Sequence, residues 1–313
     1  MNKLCLLFLI LLANNSFAQR DTVFLHYKIL NDKETRLAQY KDSDADLKLK
    51  LQQLLLVNES RKQHKAAEVQ LDILASRVAN KMCKEAAENN FNGHFNMAGE
   101  KPYHRYAFAG GKDHVSENAS GYWTSGELAS DSASILGLMK EMHSAFMDEK
   151  APNDGHKKNC IEKAHNYVGL GFYINNQQFR YYEEFIDRYY IFESVPDTVQ
   201  VKQEITLKIK PEQGKYFYCL FAFYEKGLQP MTVTAINRTS SYADYSNTMA
   251  EDLWPADLAE FRKGDVYEIK LKFKKKGIYY IHICEDAKEY RKAPRRASSN
   301  GKLQASGIVI VVE

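Results

Sequence analysis

The sequence predicts an α+β protein in two parts, with helices and one hairpin first and an all-β part second. Before about residue 190, apolar residues recur every three or four positions in three segments, the period of an amphipathic helix. After it, short β-branched and aromatic runs alternate with glycine, proline and charged turns. With 313 residues, the chain is long enough for two domains that each bury a core.

The first 18 residues have the three parts of a secretory signal. Lys3 supplies the positive start, Leu4–Ala13 is a short apolar run, and Ser16-Phe17-Ala18 ends in the small-x-small pattern of a cleavage site. We therefore expect residues 1–18 to be removed and the chain to be secreted, either to a periplasm or outside the cell. An N-terminal membrane anchor is the alternative, although the apolar run is short for crossing a bilayer. We expect no transmembrane segment after cleavage.

Charge and cysteine content exclude some classes of protein. The net charge is only +3, which argues against a nucleic-acid binder. The mature chain keeps four cysteines, and none is spaced as C-x-x-C, so a structural zinc site is not expected. An exported chain could form Cys83–Cys160 and Cys219–Cys284 bridges, one in each part. Buried free thiols remain the alternative.

The elements of the first part follow from periodicity. Residues 19–44 are a polar lead-in with one short strand predicted at Val23–Tyr27. Helices are predicted from Ala45 onward, from Leu71 to Glu88, and from Ser132 to Glu149. Glu149 shares the inward side of the last helix, where a carboxylate is costly unless it has a partner.

A loop and a hairpin complete the first part. Asn89–Gly121 is rich in glycine, asparagine and histidine, without a sustained period, and loops of this length are usually functional. Alternating residues on both sides of Asn175-Asn176 predict a hairpin with strands over 168–174 and 179–186. Gly169 and Gly171 fall on one face of its first strand, where they would let a neighbour approach closely.

Residues 191–198 are predicted to be a linker to a β-sandwich-like domain over 199–313. Six strands are predicted in this domain: Val199–Ile209, Lys215–Tyr224, Thr232–Ile236, Val266–Phe273, Gly277–Cys284 and Gly307–Val312. Because the pattern changes after Tyr190, we expect the domain at 45–190 to fold without the rest.

Seven short motifs occur in a fixed order between Leu54 and Ile186. They are Val57-Asn58 followed by Arg61, Leu71-Asp72 followed by Leu74-Ala75 and Ala79, His94 with Gly99, Arg105 and Gly110, Glu117-Asn118, Phe146 to Glu149, Gly155-His156 with Asn159, and Val168-Gly169-Leu170-Gly171. Each motif alone is weak. Together and in this order, they resemble the CAP superfamily (cysteine-rich secretory proteins, antigen 5 and pathogenesis-related 1, or SCP-like) in its bacterial form. Phe146 stands where that family often has tryptophan, and Lys157 replaces an arginine.

The resemblance implies a three-layer α-β-α sandwich with a central cleft. His94, Glu117, Glu149 and His156 would line this cleft. The alignment of Glu149 crosses a loop, so Glu141 and Asp148 remain alternatives to it. Each imidazole would have a carboxylate neighbour, which would raise its pKa.

Two imidazoles and two carboxylates in one cleft are suited to a divalent cation, with zinc the best match for His94 and His156. The alternative is that the pairs only satisfy a polar cleft. We expect a secreted CAP-domain protein whose cleft binds a metal or small ligand, while the β domain contacts a lipid, a partner or an extracellular surface. The second hypothesis is a metal-assisted hydrolase of peptides or lipids. No G-x-S-x-G elbow accompanies the three nearby serines, which are Ser116, Ser120 and Ser144.

Overall fold

The computed structural model describes residues 21–239, 241–243, 246–290, 292 and 297–313. The expected signal, Met1–Ala18, lies outside these residues. Within the described part, no helix combines the length and apolar character that crossing a membrane requires. Helices and sheets are both present, which confirms the α+β class.

In the first part, helices lie against one four-stranded sheet. Residues 21–33 are helical and are called α1. The later helices are α2 (Asp44–Gln63), α3 (Ile73–Glu88), α4 (Pro102–Phe108), α5 (Ser132–Asp148) and α6 (Gly155–Cys160). The strands are β1 (Gln70–Leu71), β2 (His114–Trp123), β3 (Tyr167–Ile174) and β4 (Gln178–Asp187). The order in the sheet is β1-β3-β4-β2, with only the β1–β3 pair parallel, so β2 forms an edge.

Side-chain caps explain where the long helices begin. The Ser43 hydroxyl accepts the Asp46 N–H, and the Asp46 carboxylate accepts the Ser43 N–H in return, which starts α2. Asp72 accepts the Ala75 N–H at 2.6 Å and starts α3. Asp131 starts α5 in the same way. These caps satisfy backbone donors that would otherwise lack partners.

Strand β4 is buried on both faces, and its residues alternate between two helical layers. Tyr181 and Phe185 pack in the cluster of α2 and α5. Tyr182 and Ile186 pack on the opposite side, in clusters built on α3 and α4. Because side chains alternate along a strand, the neighbouring residues Glu183 and Glu184 face opposite helical layers.

The two glycines of β3 allow α3 to lie directly on the sheet, as predicted. A Cβ on Gly169 would lie 2.4 Å from Ala75, and one on Gly171 would lie 2.4 Å from Ala79. Any larger residue would push α3 away from the sheet. This close packing fixes the end of α3, from which the loop carrying His94 departs.

The second part contains two sheets. Its strands are β5 (Ile191–Ser194), β6 (Thr198–Val199), β7 (Glu204–Lys210), β8 (Tyr216–Glu225), β9 (Met249–Leu253), β10 (Arg262–Lys263), β11 (Val266–Lys272), β12 (Gly277–Asp286), β13 (Leu303–Gln304) and β14 (Ile308–Val312). One sheet has the order β10-β11-β7-β5, and the other β6-β14-β12-β8-β9, with β13 beside β12. Leu207 and Ile269 of the first sheet share one apolar cluster with Leu220 and Ile281 of the second. The segment 191–198, expected as a linker, supplies β5 and the start of β6.

Three secondary-structure predictions were wrong. Val23–Tyr27 lies within α1, because Phe24, Tyr27 and Asn31 form a helical inward face that a short apolar run concealed. The long loop Asn89–Gly121 contains α4 and most of β2. Thr232–Ile236 starts helix α7 (Val233–Arg238), since the Thr232 hydroxyl caps the Ala235 N–H. A second short helix, α8 (Pro255–Glu260), was not predicted from the sequence.

The two parts of the chain share apolar contacts. Tyr103 and Val115 from the first part belong to the same buried cluster as Ile278, Tyr280 and Val309 from the second. The rings of Tyr103 and Tyr280 stack with centroids 3.9 Å apart and planes 7° from parallel. The boundary at residue 190 therefore crosses a continuous core.

The four cysteines among the described residues are all buried and free. Cys83 packs in the α3 cluster and Cys160 in the cluster of α2 and α5, on opposite faces of the sheet. The expected proximity of Cys83 and Cys160 was therefore wrong, because the sheet separates them. Cys219 and Cys284 are register partners on β8 and β12, so that pair is adjacent.

Candidate functional site

Four elements bring the predicted cleft residues together. His94 lies in the loop after α3, Glu117 on the edge strand β2, Glu149 at the C-cap of α5, and His156 in the first turn of α6. The ring centroids of His94 and His156 are 6.2 Å apart, with planes inclined by 35°. Two imidazoles from opposite ends of a 62-residue stretch thus face one space, and each has a carboxylate beside it.

Glu117 and Arg105 form a buried charged pair that holds His94 in place. Its Nδ1 lies 2.8 Å from Glu117 Oε1. Arg105 donates to Glu117 Oε2, and its other terminal nitrogen donates to the His94 carbonyl oxygen at 2.7 Å. Arg105 and Glu117 are 5% and 4% exposed, so both charges depend on each other for stabilisation.

The pKa of His94 is lowered to about 4, first by burial and then by the positive charge of Arg105. The expectation that its carboxylate neighbour would raise this pKa was wrong, because burial and the charge of Arg105 both favour the neutral imidazole. The imidazole is therefore neutral at pH 7. With Nδ1–H donated to Glu117, the second ring nitrogen, Nε2, keeps its lone pair.

This lowered pKa predicts a pH-dependent loss of stability. An unfolded histidine titrates near 6.5 and folded His94 near 4. Between these two pH values, the unfolded chain therefore binds a proton at this residue that the folded chain does not bind. Relative to a His94→Asn variant, we expect the wild type to lose about 3 kcal/mol of unfolding free energy across that window. Urea unfolding at several pH values measures this difference. Parallel curves for the two proteins would contradict it.

Glu149 pairs with His156 through both of its oxygens. Oε1 lies 2.5 Å from His156 Nδ1, and Oε2 accepts the His156 N–H at 2.9 Å. The Lys157 N–H lies 3.3 Å from the same oxygen. The two alternatives, Glu141 and Asp148, are exposed. As at His94, the carboxylate contact at Nδ1 leaves Nε2 as the remaining ring nitrogen.

Glu184 lies next to the His94–Glu117 pair and was not expected from the sequence. It is the register partner of Glu117 across β2 and β4, and it is fully buried. Burial and the nearby charge of Glu117 raise the pKa of Glu184 well above its usual range. Both effects favour the protonated form of Glu184. Because β4 is buried on both faces, its sequence gives no signal that singles out Glu184.

A second buried cluster lies on the other face of the sheet. His143, Cys160 and Glu183 have donor atoms within 4.8 Å of one another, a spacing that could hold a metal ion. They are also hydrogen bonded together: His143 Nδ1 lies 2.7 Å from Glu183 Oε1, and Cys160 Sγ lies 3.4 Å from Oε2. Tyr181 donates to Oε1 at 2.8 Å. The sequence did not predict that these three residues lie together.

Asn118 connects this cluster to the cleft. Its amide nitrogen lies 3.1 Å from the His156 carbonyl oxygen and 3.1 Å from Cys160 Sγ. Asn159 in turn donates to the Asn118 side-chain oxygen at 3.0 Å. The two asparagines of the motifs thus hold α6, and with it His156, against β2.

One serine lies near a histidine and an aspartate. Ser116 Oγ is 3.4 Å from His165 Nε2, and His165 Nδ1 is 2.6 Å from Asp187 Oδ1. However, Ser116 donates its proton to Asn159 Oδ1 at 2.6 Å, and His165 Nε2 lies 3.0 Å from the same oxygen. The amide oxygen occupies the position between serine and imidazole, so this arrangement does not activate the hydroxyl.

The second part of the chain also contributes a residue to the cleft. The Tyr242 ring lies 4.9 Å from the His94 ring, and its hydroxyl oxygen accepts the Glu117 N–H at 3.0 Å. Tyr242 was missed because it lies in a segment with no periodicity, 125 positions from Glu117. Only the packing of the two parts brings them together.

Comparisons with known proteins give partial similarities. No protein-family model matches the chain, and no curated protein matches it. An extracellular protein containing a SCP domain from Bacillus anthracis is 21% identical, with a TM-score of 0.34, over 44% of this chain and 40% of its own. An outer surface protein from Borrelia burgdorferi is 16% identical, with a TM-score of 0.34, over 43% of this chain and 89% of its own.

A third solved structure is a cysteine-rich secretory protein from Staphylococcus aureus. It is 14% identical, with a TM-score of 0.30, over 44% of this chain and 38% of its own. The chain therefore spans about two fifths of the length of the Bacillus and Staphylococcus proteins. The Bacillus protein is named for its SCP domain and the Staphylococcus protein is named a cysteine-rich secretory protein. Both are names of the family that the sequence motifs resemble.

Proposed function

We propose that this chain is an exported metal-binding protein of the CAP type, in which His94 and His156 bind one divalent cation. Its first part would be the three-layer α-β-α domain of that family, and its second part a β-sandwich. The signal-like residues 1–18 support export. Zinc suits two imidazole nitrogen ligands best, with water completing its coordination.

The observation that carries this proposal is the shared geometry of the two histidines. Each has Nδ1 fixed by a carboxylate, which is how proteins orient metal-binding imidazoles through Nε2. Zinc–nitrogen bonds of about 2.0–2.1 Å place two rings on one ion with centroids about 5–6 Å apart. The observed 6.2 Å is just beyond this range, so we expect the rings to approach slightly on binding.

Binding is favoured over hydrolysis because the acidic groups of the cleft are already engaged. Glu117 is tied to Arg105 and His94, and Glu149 holds His156 and its backbone. A general base must be able to reach and take up a proton from water or substrate. The hydroxyl of Ser116 is held by Asn159.

Zinc is expected to raise the melting temperature of the full chain at pH 7.5. Free zinc at a hundredfold excess over its Kd would add about 2.7 kcal/mol of stability. His94→Ala and His156→Ala should each abolish the shift, whereas His64→Ala, at an exposed position, should retain it. Since His94 stays neutral down to about pH 4, protonation of His94 does not compete with zinc until the pH approaches that value.

The buried cluster provides a further control. If zinc occupied His143, Cys160 and Glu183 instead, Cys160→Ser would remove the shift, and the two cleft variants would keep it. If no variant or wild-type protein responds to zinc at pH 7.5, the metal-binding proposal fails.

A further inference from the structure

The segment between β8 and β9 leaves the second part of the chain and lies on the first. Met231 N–H donates to the Met97 carbonyl oxygen at 2.9 Å, and the Asn92 N–H donates to Asn237 Oδ1 at 2.9 Å. Ile236 is fully buried in a cluster with Phe91. We call residues 228–239 and 241–242 the covering segment.

The loop that carries His94 is shaped to receive this segment. Gly99 has φ +81°, and a Cβ there would lie 2.1 Å from the Gln229 carbonyl oxygen. A Cβ on Gly93 would lie 3.3 Å from the Ile236 side chain. The contact therefore depends on two glycines of this loop, Gly93 next to His94 and Gly99 five positions after it, and both have positive φ, which favours glycine.

Tyr242 is the part of the covering segment that reaches the cleft. Because β2 is an edge strand, the Glu117 N–H is not used by the sheet, and the Tyr242 hydroxyl oxygen accepts it. This hydrogen bond anchors the phenol ring beside the His94 ring at 4.9 Å. The ring thus occupies space that a ligand approaching His94 would otherwise use.

As a consequence, the cleft is more open to solvent at His156 than at His94. The side chain of His94 is 10% exposed, whereas those of His156 and Glu149 are 33% and 23% exposed. The Phe146 ring supports His156 from its other side, with centroids 4.9 Å apart. A ligand therefore enters on the His156 side and meets Tyr242 before it can extend past His94.

We propose that Tyr242 sets the size limit of the cleft, so that it admits a small hydrated cation and excludes an extended ligand such as an acyl chain or a peptide. This inference rests on the proposed metal function. It assigns a specificity role to a residue of the second part, outside the four cleft residues. The phenol ring supplies the barrier, and the hydroxyl anchors the ring.

The first test measures access to His94 without any metal. Diethyl pyrocarbonate acylates neutral imidazoles, and mass mapping gives the rate at each histidine of the full chain. In the wild type and in Tyr242→Phe, which keeps the ring, His94 should react much more slowly than His156. In Tyr242→Ala, the His94 rate should rise several-fold, while the His156 rate stays within twofold. Gly99→Ala, which displaces the Gln229 backbone, should have the same effect as Tyr242→Ala.

The second test measures size selection with nickel. Wild type and Tyr242→Phe should bind aqueous Ni²⁺ but not the bulkier Ni²⁺–nitrilotriacetate complex, whereas Tyr242→Ala should bind both. Tyr122→Ala, at an exposed position on β2, is the matched control and should behave as wild type.

Two results would overturn the inference. One is equal acylation of His94 in wild type and Tyr242→Ala, and the other is binding of the chelated nickel by the wild type. Absence of aqueous nickel binding with slow His94 acylation would instead reject the metal function and leave Tyr242 as the barrier to the cleft.

Discussion

Replacing Glu183 with glutamine is expected to destabilise the folded chain by about 3 kcal/mol or more. The same replacement at the adjacent Glu184 should cost less than about 1 kcal/mol. Both residues are fully buried on β4, and the two substitutions change the same atoms. The difference arises from what each carboxyl group contacts.

Glu183 is an ionised acceptor surrounded by donors. His143, Tyr181, Cys160 and Asn118 all point toward its two oxygens, at 2.7, 2.8, 3.4 and 3.3 Å. Burial alone would raise the pKa of Glu183, but the histidine and these donors lower it. A glutamine would turn an NH₂ group toward at least one donor, which leaves buried polar groups unpaired and removes the charge that they stabilise.

Glu184 lies in the opposite situation. Its pKa is raised well above the usual range, first by burial and then by Glu117, and both effects favour the protonated carboxyl group. A glutamine amide has nearly the shape of a protonated carboxyl group and the same pattern of one acceptor and one donor side. No charge is lost on substitution.

Urea unfolding at pH 7 measures both variants against the wild type. Cleft geometry can be followed in the same proteins through zinc binding, since Asn118 links Glu183 to the segment of His156. Equal losses of stability for Glu183→Gln and Glu184→Gln would contradict the assigned protonation states. A larger loss for Glu184→Gln would reverse them.

The sequence predicted what depends on local pattern. The positions of α2, α3, α5 and the hairpin followed from periodicity, and the close packing of α3 followed from the spacing of Gly169 and Gly171. The motifs indicated His94, Glu117, Glu149 and His156, which the fold brings to one cleft. Periodicity could not reveal α4, because seven residues leave too few repeats to distinguish a helix from a loop. Strand β2 was missed because its sequence, HVSENASGYW, has few apolar residues and no regular alternation.

What the sequence could not give was the charge state of the site. The pKa of His94 is lowered by burial and then by the charge of Arg105, a residue that the motif comparison identifies without showing its effect. Glu184 lies next to Glu117 because the two are register partners across β2 and β4. Tyr242 reaches Glu117 because the two parts of the chain pack together. These contacts are set by tertiary structure, so residue type and spacing along the chain carry no signal for them.

Shortening the chain to end at Tyr190 is expected to abolish stable folding, which reverses the expectation drawn from the sequence pattern. Removal of the second part would expose Tyr103, Tyr106 and Val115, which are at most 1% exposed in the full chain. It would also leave the Lys112 carbonyl oxygen without the Gly307 N–H, which donates to it at 2.7 Å. Apolar surface of this kind stabilises folding in proportion to the area buried, and large aromatic rings contribute most.

The measurement is the cooperativity of thermal unfolding, compared between the full and the shortened chain. The full chain should unfold in one transition, because the cluster that contains Tyr103 and Tyr280 belongs to both parts. Tyr280→Ala in the full chain should cost about 3–5 kcal/mol, the range for removing a buried aromatic ring. It should also separate the single transition into two. A shortened chain that is soluble, unfolds sharply and leaves His143, which is buried among residues of the first part, as slow to acylate as in the full chain would show that the first part folds alone. The shared cluster would then be a docking contact between independent domains.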